Sequence, residues 1–138
     1  RGSIMTVDKS FHLRIITPDR VFYEGEANMV EFNTTEGQIG VLPGHIPLTV
    51  IIKPGILYIY EPEGERRAAL HAGFVEILPD QVTILAEIIE WPEEIDAVRA
   101  AAALQRAQKR LESPTPETDI ARAETALYRA MARIQALK

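Results

Sequence analysis

Ile88-Ile89-Glu90-Trp91-Pro92-Glu93-Glu94-Ile95-Asp96-Ala97 is the stretch where the chain changes its hydrophobic period. Before Trp91-Pro92 the sequence is rich in Val, Ile, Thr and aromatic residues, with Gly and Pro as punctuation. From Glu93 to Lys138 there is no Gly, and the prolines are confined to one turn, Ser113-Pro114-Thr115-Pro116. Period-two strand chemistry gives way to a helical repeat at this point. The reading is an α+β fold: an N-terminal antiparallel β-sandwich over residues 5–90, then a C-terminal antiparallel two-helix hairpin over residues 91–138.

Working back from the break, short runs with strand character recur at Phe11–Thr17, Val21–Tyr23, Met29–Asn33, Gln38–Leu42, Leu48–Ile52, Ile56–Glu61, Arg66–His71, Phe74–Leu78 and Val82–Ile89. Turn signals divide them, among them Thr17-Pro18-Asp19-Arg20, Glu24-Gly25, Glu36-Gly37, Pro43-Gly44 and Pro79-Asp80-Gln81. No gap holds a crossover helix, so antiparallel pairing is expected. Many short strands of this kind make a sandwich or barrel.

Working forward, Ala97, Ala100, Leu104, Ala107 and Leu111 are spaced 3, 4, 3, 4; Ile120, Ala123, Leu127, Ala130, Ile134 and Leu137 continue the rhythm. These are the a and d seams of two helices that fold back on each other. Thr115 followed by Pro116 reads as the cap of the second helix. Half the seam is Ala, which buries little, whereas a buried Leu contributes about 1.5–3 kcal/mol. A pair of helices this short is marginal alone, so the hairpin is expected to open.

Charge follows the same division. The net charge of −5 splits into 7 Lys/Arg against 13 Asp/Glu through Pro92 (−6) and 8 against 7 from Glu93 (+1). An acidic body argues against nucleic acid. Cysteine is absent, so no disulfide or thiolate metal site is available. Aliphatic runs fall far short of the roughly 20 residues a spanning helix needs. No secretory leader is read, and Arg1-Gly2-Ser3-Ile4 before Met5 reads as an expression remnant. His12, His45 and His71 lack ligand spacing, and no nucleophile elbow, Walker loop or acid/base pair is present, so an enzyme is not expected.

With Ala97 and Ile120 at a, the six arginines Arg99, Arg106, Arg110, Arg122, Arg129 and Arg133 fall on one side of the hairpin. Val98, Tyr128 and Met131 mark the other. The antiparallel register brings Arg99, Arg129 and Arg133 together at the open end, near Glu90 and Asp96. Arginine forks there suit a polyphosphate or a carboxylate-rich protein surface, and a solvated basic face fits the same pattern.

From Phe11 onward the chain resembles the ε-subunit family of bacterial F-type ATP synthases. The resemblance rests on Glu36-Gly37-Gln38-Ile39-Gly40-Val41-Leu42-Pro43-Gly44-His45-Ile46-Pro47-Leu48, on Lys53-Pro54-Gly55, on Gly73-Phe74-Val75-Glu76-Ile77, and on Pro79-Asp80-Gln81-Val82-Thr83-Ile84-Leu85-Ala86. Ala72-Gly73 stands where Gly-Gly is common, and Glu87 where Asp is common. The resemblance implies a non-catalytic rotor subunit of a proton- or sodium-translocating synthase, monomeric when isolated. It would lie peripherally at the cytoplasmic face of the bacterial cell membrane. The sandwich would bind the γ subunit and the c-ring, with Ile39, Val41, Leu42, Pro43, His45 and Leu48 as contacts. The hairpin would block ATP hydrolysis when extended toward the α/β catalytic head and permit it when folded.

Part of that family binds ATP in the folded hairpin through a motif of Ile or Leu, Asp, any two residues, Arg and Ala. Ile95-Asp96-Ala97-Val98-Arg99-Ala100 matches it. The resemblance therefore implies a regulatory ATP site of Glu90, Ile95, Asp96, Arg99, Ala100, Arg129 and Arg133, with no obligatory cofactor and the magnesium requirement open. The competing reading is a protein-only module whose hairpin arginines meet acidic partner segments without nucleotide.

Overall fold

The computed structural model describes residues 10–138; the expression remnant and the start of the sandwich at Met5 lie outside the described residues. Eight strands come first: β1 (Phe11–Ile16), β2 (Val21–Ala27), β3 (Met29–Thr34), β4 (Gly37–Val41), β5 (Leu48–Ile52), β6 (Gly55–Glu61), β7 (Gly64–Ile77) and β8 (Gln81–Glu90). A single 3-10 turn over Pro92–Glu94 leads to helices α1 (Ala97–Glu112) and α2 (Ile120–Ala136).

The strands form a sandwich because alternate residues are apolar and turn inward. In β1, Phe11, Leu13 and Ile15 are buried while Arg14 faces out. They meet Phe32, Leu57, Ile59, Leu70, Ile77 and Ile84 in one core. Strand β7 serves both layers. Its first half pairs with β6, from Glu61↔Gly64 to Gly55↔Leu70. Its second half pairs with β5, from Ile52↔Gly73 to Leu48↔Ile77.

Three expectations are corrected. The sheet is not wholly antiparallel: β1 and β8 pair in parallel, from His12↔Gln81 to Ile16↔Leu85. The missing crossover helix is no obstacle, because the rest of the sandwich connects the two strands. Arg66–His71 and Phe74–Leu78 belong to one strand, interrupted only by register shifts around Ala72. There Gly73 takes φ 137°, and a Cβ on it would strike the carbonyl oxygen of Leu85. Only glycine fits. Ala72 has no positive φ, which explains why alanine is accepted at that neighbouring position. Gly25 lies inside β2 and is no turn; a Cβ there would press on the Tyr23 ring.

In the helical half, Ala100, Ala107, Ala123 and Ala130 of the seam are buried. Ala97, Ile120 and Leu137, at the seam ends, are exposed. The second helix starts later than expected. Asp119 caps it by accepting a hydrogen bond from the Arg122 N–H at 3.1 Å, while Thr115 is held to Thr118 in the preceding turn. An aspartate directly before the helical run satisfies a free N–H of the first turn and sets the boundary. The hairpin is folded against the sandwich: Ala132 and Ala136 pack on Ile56 of β6 and Ala69 of β7, with Tyr58 and Ile95 alongside. So α2 lies between α1 and the sheet, burying two different faces.

Candidate functional site

The site is built where the sandwich hands over to the helices. Trp91 stacks on Phe22 with ring centroids 4.3 Å apart, and the Arg66 guanidinium covers it at 4.0 Å from the centroid. Its N–H donates to the Glu94 carboxylate at 2.9 Å, and Arg20 pairs with Glu94 at 2.7 Å. The Trp91 N–H foremost, helped by Arg20, holds the Glu94 carboxyl below its ordinary value. The linker is thus fastened to the sandwich as far as Glu94, and Ile95 then packs beside Ile56 and Ala69. Asp96 then starts α1 by accepting from the Arg99 N–H at 3.1 Å.

Beyond this cap lies a cavity of about 260 Å³ lined by Glu90, Glu94, Ile95, Asp96, Arg99, Ala100, Arg106 and Arg133. Arg99 and Arg106 come from α1 and Arg133 from α2, so the lining exists only while the hairpin is folded onto the sheet. Arg133 Nε donates to Glu90 Oε1 at 2.7 Å. The ring of His71 meets that same oxygen through Nε2 at 3.1 Å. Arg99 and Arg106 make no ion pair among the described residues, which leaves their forks available to an anion.

Six of the seven residues expected to form the site are therefore together: Glu90, Ile95, Asp96, Arg99, Ala100 and Arg133. Arg129 is not among the lining residues. Its Nε is buried without a hydrogen-bond partner, because Arg129 shares a helical stripe with Ala132 and Ala136, which face the sheet. Asp96 is already engaged as the α1 cap, so its carboxylate organises the site from its edge. Arg106, Glu94 and His71 were not anticipated. Arg106 was legible one heptad beyond Arg99, whereas His71 carried no spacing signal. No group of three or more His, Cys, Asp or Glu able to hold a metal occurs among the described residues.

The second expected site lies around the β4–β5 connection. Val41 is 0% exposed and belongs to the core, so it cannot touch a partner. Ile39 is partly buried against that core. Leu42 is 58% exposed, Ile46 71%, and Leu48 also faces out. Between them Gly44, at φ 83°, donates its N–H to the Pro79 carbonyl at 2.8 Å, and His45 Nδ1 bonds to the Ile46 carbonyl at 2.7 Å. The exposed apolar residues around Pro43 are thus presented on a braced turn.

A two-part chain of this kind, with a sandwich, a folded hairpin and an arginine-lined cavity at the junction, matches two family models end to end. The ATP synthase Delta/Epsilon chain beta-sandwich domain covers residues 10–92, and the ATP synthase Delta/Epsilon chain long alpha-helix domain covers residues 93–138. The chain belongs to the ATP synthase delta/epsilon chain family. Its similar curated relatives are ATP synthase epsilon chains. That of Caldanaerobacter subterraneus subsp. tengcongensis is 45% identical over 130 residues, covering 94% of each chain. That of Moorella thermoacetica is 45% identical over 128 residues, covering 92% of this chain and 96% of the relative. A chain of the Euglena gracilis mitochondrial ATP synthase, in a structure of OSCP/F1/c-ring, superposes with TM-score 0.82 at 26% identity, over 94% of this chain and 82% of that one.

Proposed function

We propose that the chain acts as an epsilon subunit in the central stalk of an ATP synthase, and that ATP stabilises its folded hairpin. The observation that carries the reading is the cavity shared by Arg99 and Arg106 of α1 and Arg133 of α2. Phosphate oxygens would accept from these forks, bridging both helices. Ile95 and Ala100 line the same cavity and would flank the rest of the nucleotide. Glu90, facing the same cavity, is suited to an adenine amino group or a ribose hydroxyl, since a carboxylate repels phosphate. A ligand that binds only the folded hairpin shifts the population toward it and away from an extended, inhibitory form. Among the described residues no helix is long and apolar enough to cross a membrane; as part of a synthase the chain is proposed to sit peripherally, at the cytoplasmic face.

Calorimetry tests the nucleotide site. Wild type is expected to bind ATP, with or without magnesium, at millimolar concentration or below. A charge-assisted hydrogen bond contributes about 1.5–3 kcal/mol, so Arg99→Ala and Arg133→Ala should each weaken binding at least roughly tenfold. Absence of heat from wild type at millimolar ATP would leave the protein-only reading, in which the same arginines meet acidic partner segments.

The braced turn is proposed as a contact to the γ subunit and the c-ring, through Leu42, Pro43, His45 and Leu48 with Ile39 in support. Leu42→Asp should reduce co-purification of both partners without moving the sandwich's melting temperature. Unchanged recovery with Leu42→Asp and with His45→Asp would remove this surface from consideration.

A further inference from the structure

We propose that His71 is a proton-sensitive latch for the hairpin: α2 seats on the sandwich while the His71 ring is neutral, and protonation of that ring favours release of the helices. The inference rests on the reading that the hairpin docks and undocks.

His71 stands at the register shift of β7, where the strand passes from one layer to the other. It is 1% exposed. Ala69, two residues earlier, packs under Ala132 and Ala136, which puts that face of β7 beneath α2. Three charged groups act on the ring: Glu90 from the neighbouring β8, and Arg129 and Arg133 from the helix above. Burial is the main cause holding its pKa below the ordinary histidine value. The hydrogen bond to Glu90 opposes this, and Arg133 and Arg129 reinforce it.

The hydrogen bonds fix which form of the ring is present. Glu90 Oε1 already accepts from Arg133 Nε at 2.7 Å, and an oxygen held by a guanidinium is an acceptor toward its other neighbour too. His71 Nε2 at 3.1 Å from that oxygen must therefore carry the hydrogen. The other nitrogen, Nδ1, is then a bare lone pair, buried without a hydrogen-bond partner. A proton added to Nδ1 would create a buried cation facing two arginines, with no acceptor to receive it. Departure of α2 removes both arginines and admits water. Protonated His71 can then keep Glu90, whose oxygen Arg133 has vacated. The His71 imidazolium and the Arg133 guanidinium are thus alternative cations beside one carboxylate.

The sign follows from linkage. The docked ring has the lower pKa, so docking is fully supported above the undocked value of about 6.5 and is lost as pH falls below it. Between pH 7.5 and 5.5 the docked-to-undocked ratio should fall, by about tenfold at most.

Hydrogen exchange of the α2 amides in the full chain, corrected for intrinsic exchange, reads this ratio. Wild type should lose protection in α2 over that range, by up to about tenfold, while the amides of β1 and β8 keep theirs. His71→Gln retains a donor toward Glu90 but cannot take up a proton, so its α2 protection should be flat with pH. A ring-nitrogen NMR titration of wild type is the second readout, independent of any variant; His71 should be the neutral Nε2–H form in the docked protein at pH 7.5 and should titrate below the ordinary histidine value. Flat wild-type protection, an equal loss in His71→Gln, or a docked His71 that titrates at or above the ordinary histidine value would each overturn the latch. ATP titrated at pH 7.5, where the ring is neutral, separates the two ideas. Failure to bind there removes the nucleotide reading alone, and binding accompanied by pH-independent docking removes the latch alone.

Discussion

Gly73→Ala should destabilise the sandwich by about 3 kcal/mol or more and lower its melting temperature by roughly 10 °C. Two costs combine. The backbone at φ 137° is one that a side chain strains, and the added Cβ would run into the main chain of β8 at Leu85 and Ala86. A flexible neighbour could move aside, but a paired strand cannot move without breaking its ladder. The same bend sends β7 from β6 to β5, so the damage reaches both layers. Denaturant unfolding followed by circular dichroism measures it, and a midpoint equal to that of wild type would contradict the assignment of this glycine.

The division of the fold was legible at Trp91-Pro92 because both halves obey their own period strongly. Local pattern does not encode long-range pairing, however. Nothing within Phe11–Ile16 or Gln81–Glu90 indicates that these two strands lie side by side and parallel. Ala72-Gly73 reads as a break because glycine usually ends strands, whereas here it lets one strand bend and continue. The cap of α2 was displaced from Thr115 to Asp119 for a similar reason: two acceptable signals compete, and tertiary packing selects the one that starts the run facing α1.

The candidate site was legible to the extent that helix geometry determines it. Heptad register brings Arg99 and Arg133 to one end of the hairpin, and they line one cavity. Arg129 falls outside it because α2 has a second buried face, turned to the sheet, that the heptad seam does not mark. Ala132 and Ala136 are small, and alanine on an Ala-rich helix gives no contrast from which a sheet-facing stripe stands out. His71 acquires its role only from what lies above it, and a lone histidine in a strand carries no trace of that.

ATP is proposed to hold the hairpin in the folded arrangement. Its largest expected consequence is on local opening. A ligand present at 100 times its dissociation constant, and binding only the folded hairpin, stabilises it by about 2.7 kcal/mol, which is about a hundredfold change in the opening equilibrium. Fastening of Trp91 and Glu94 to the sandwich confines the effect to residues beyond Ile95. Hydrogen exchange at pH 7.5, with and without saturating ATP, tests this most directly. Amides of α1 and α2 should slow by up to about a hundredfold while those of β1, β7 and β8 are unchanged. Equal exchange of the helices in both conditions, at an ATP concentration shown by calorimetry to saturate the protein, would contradict it.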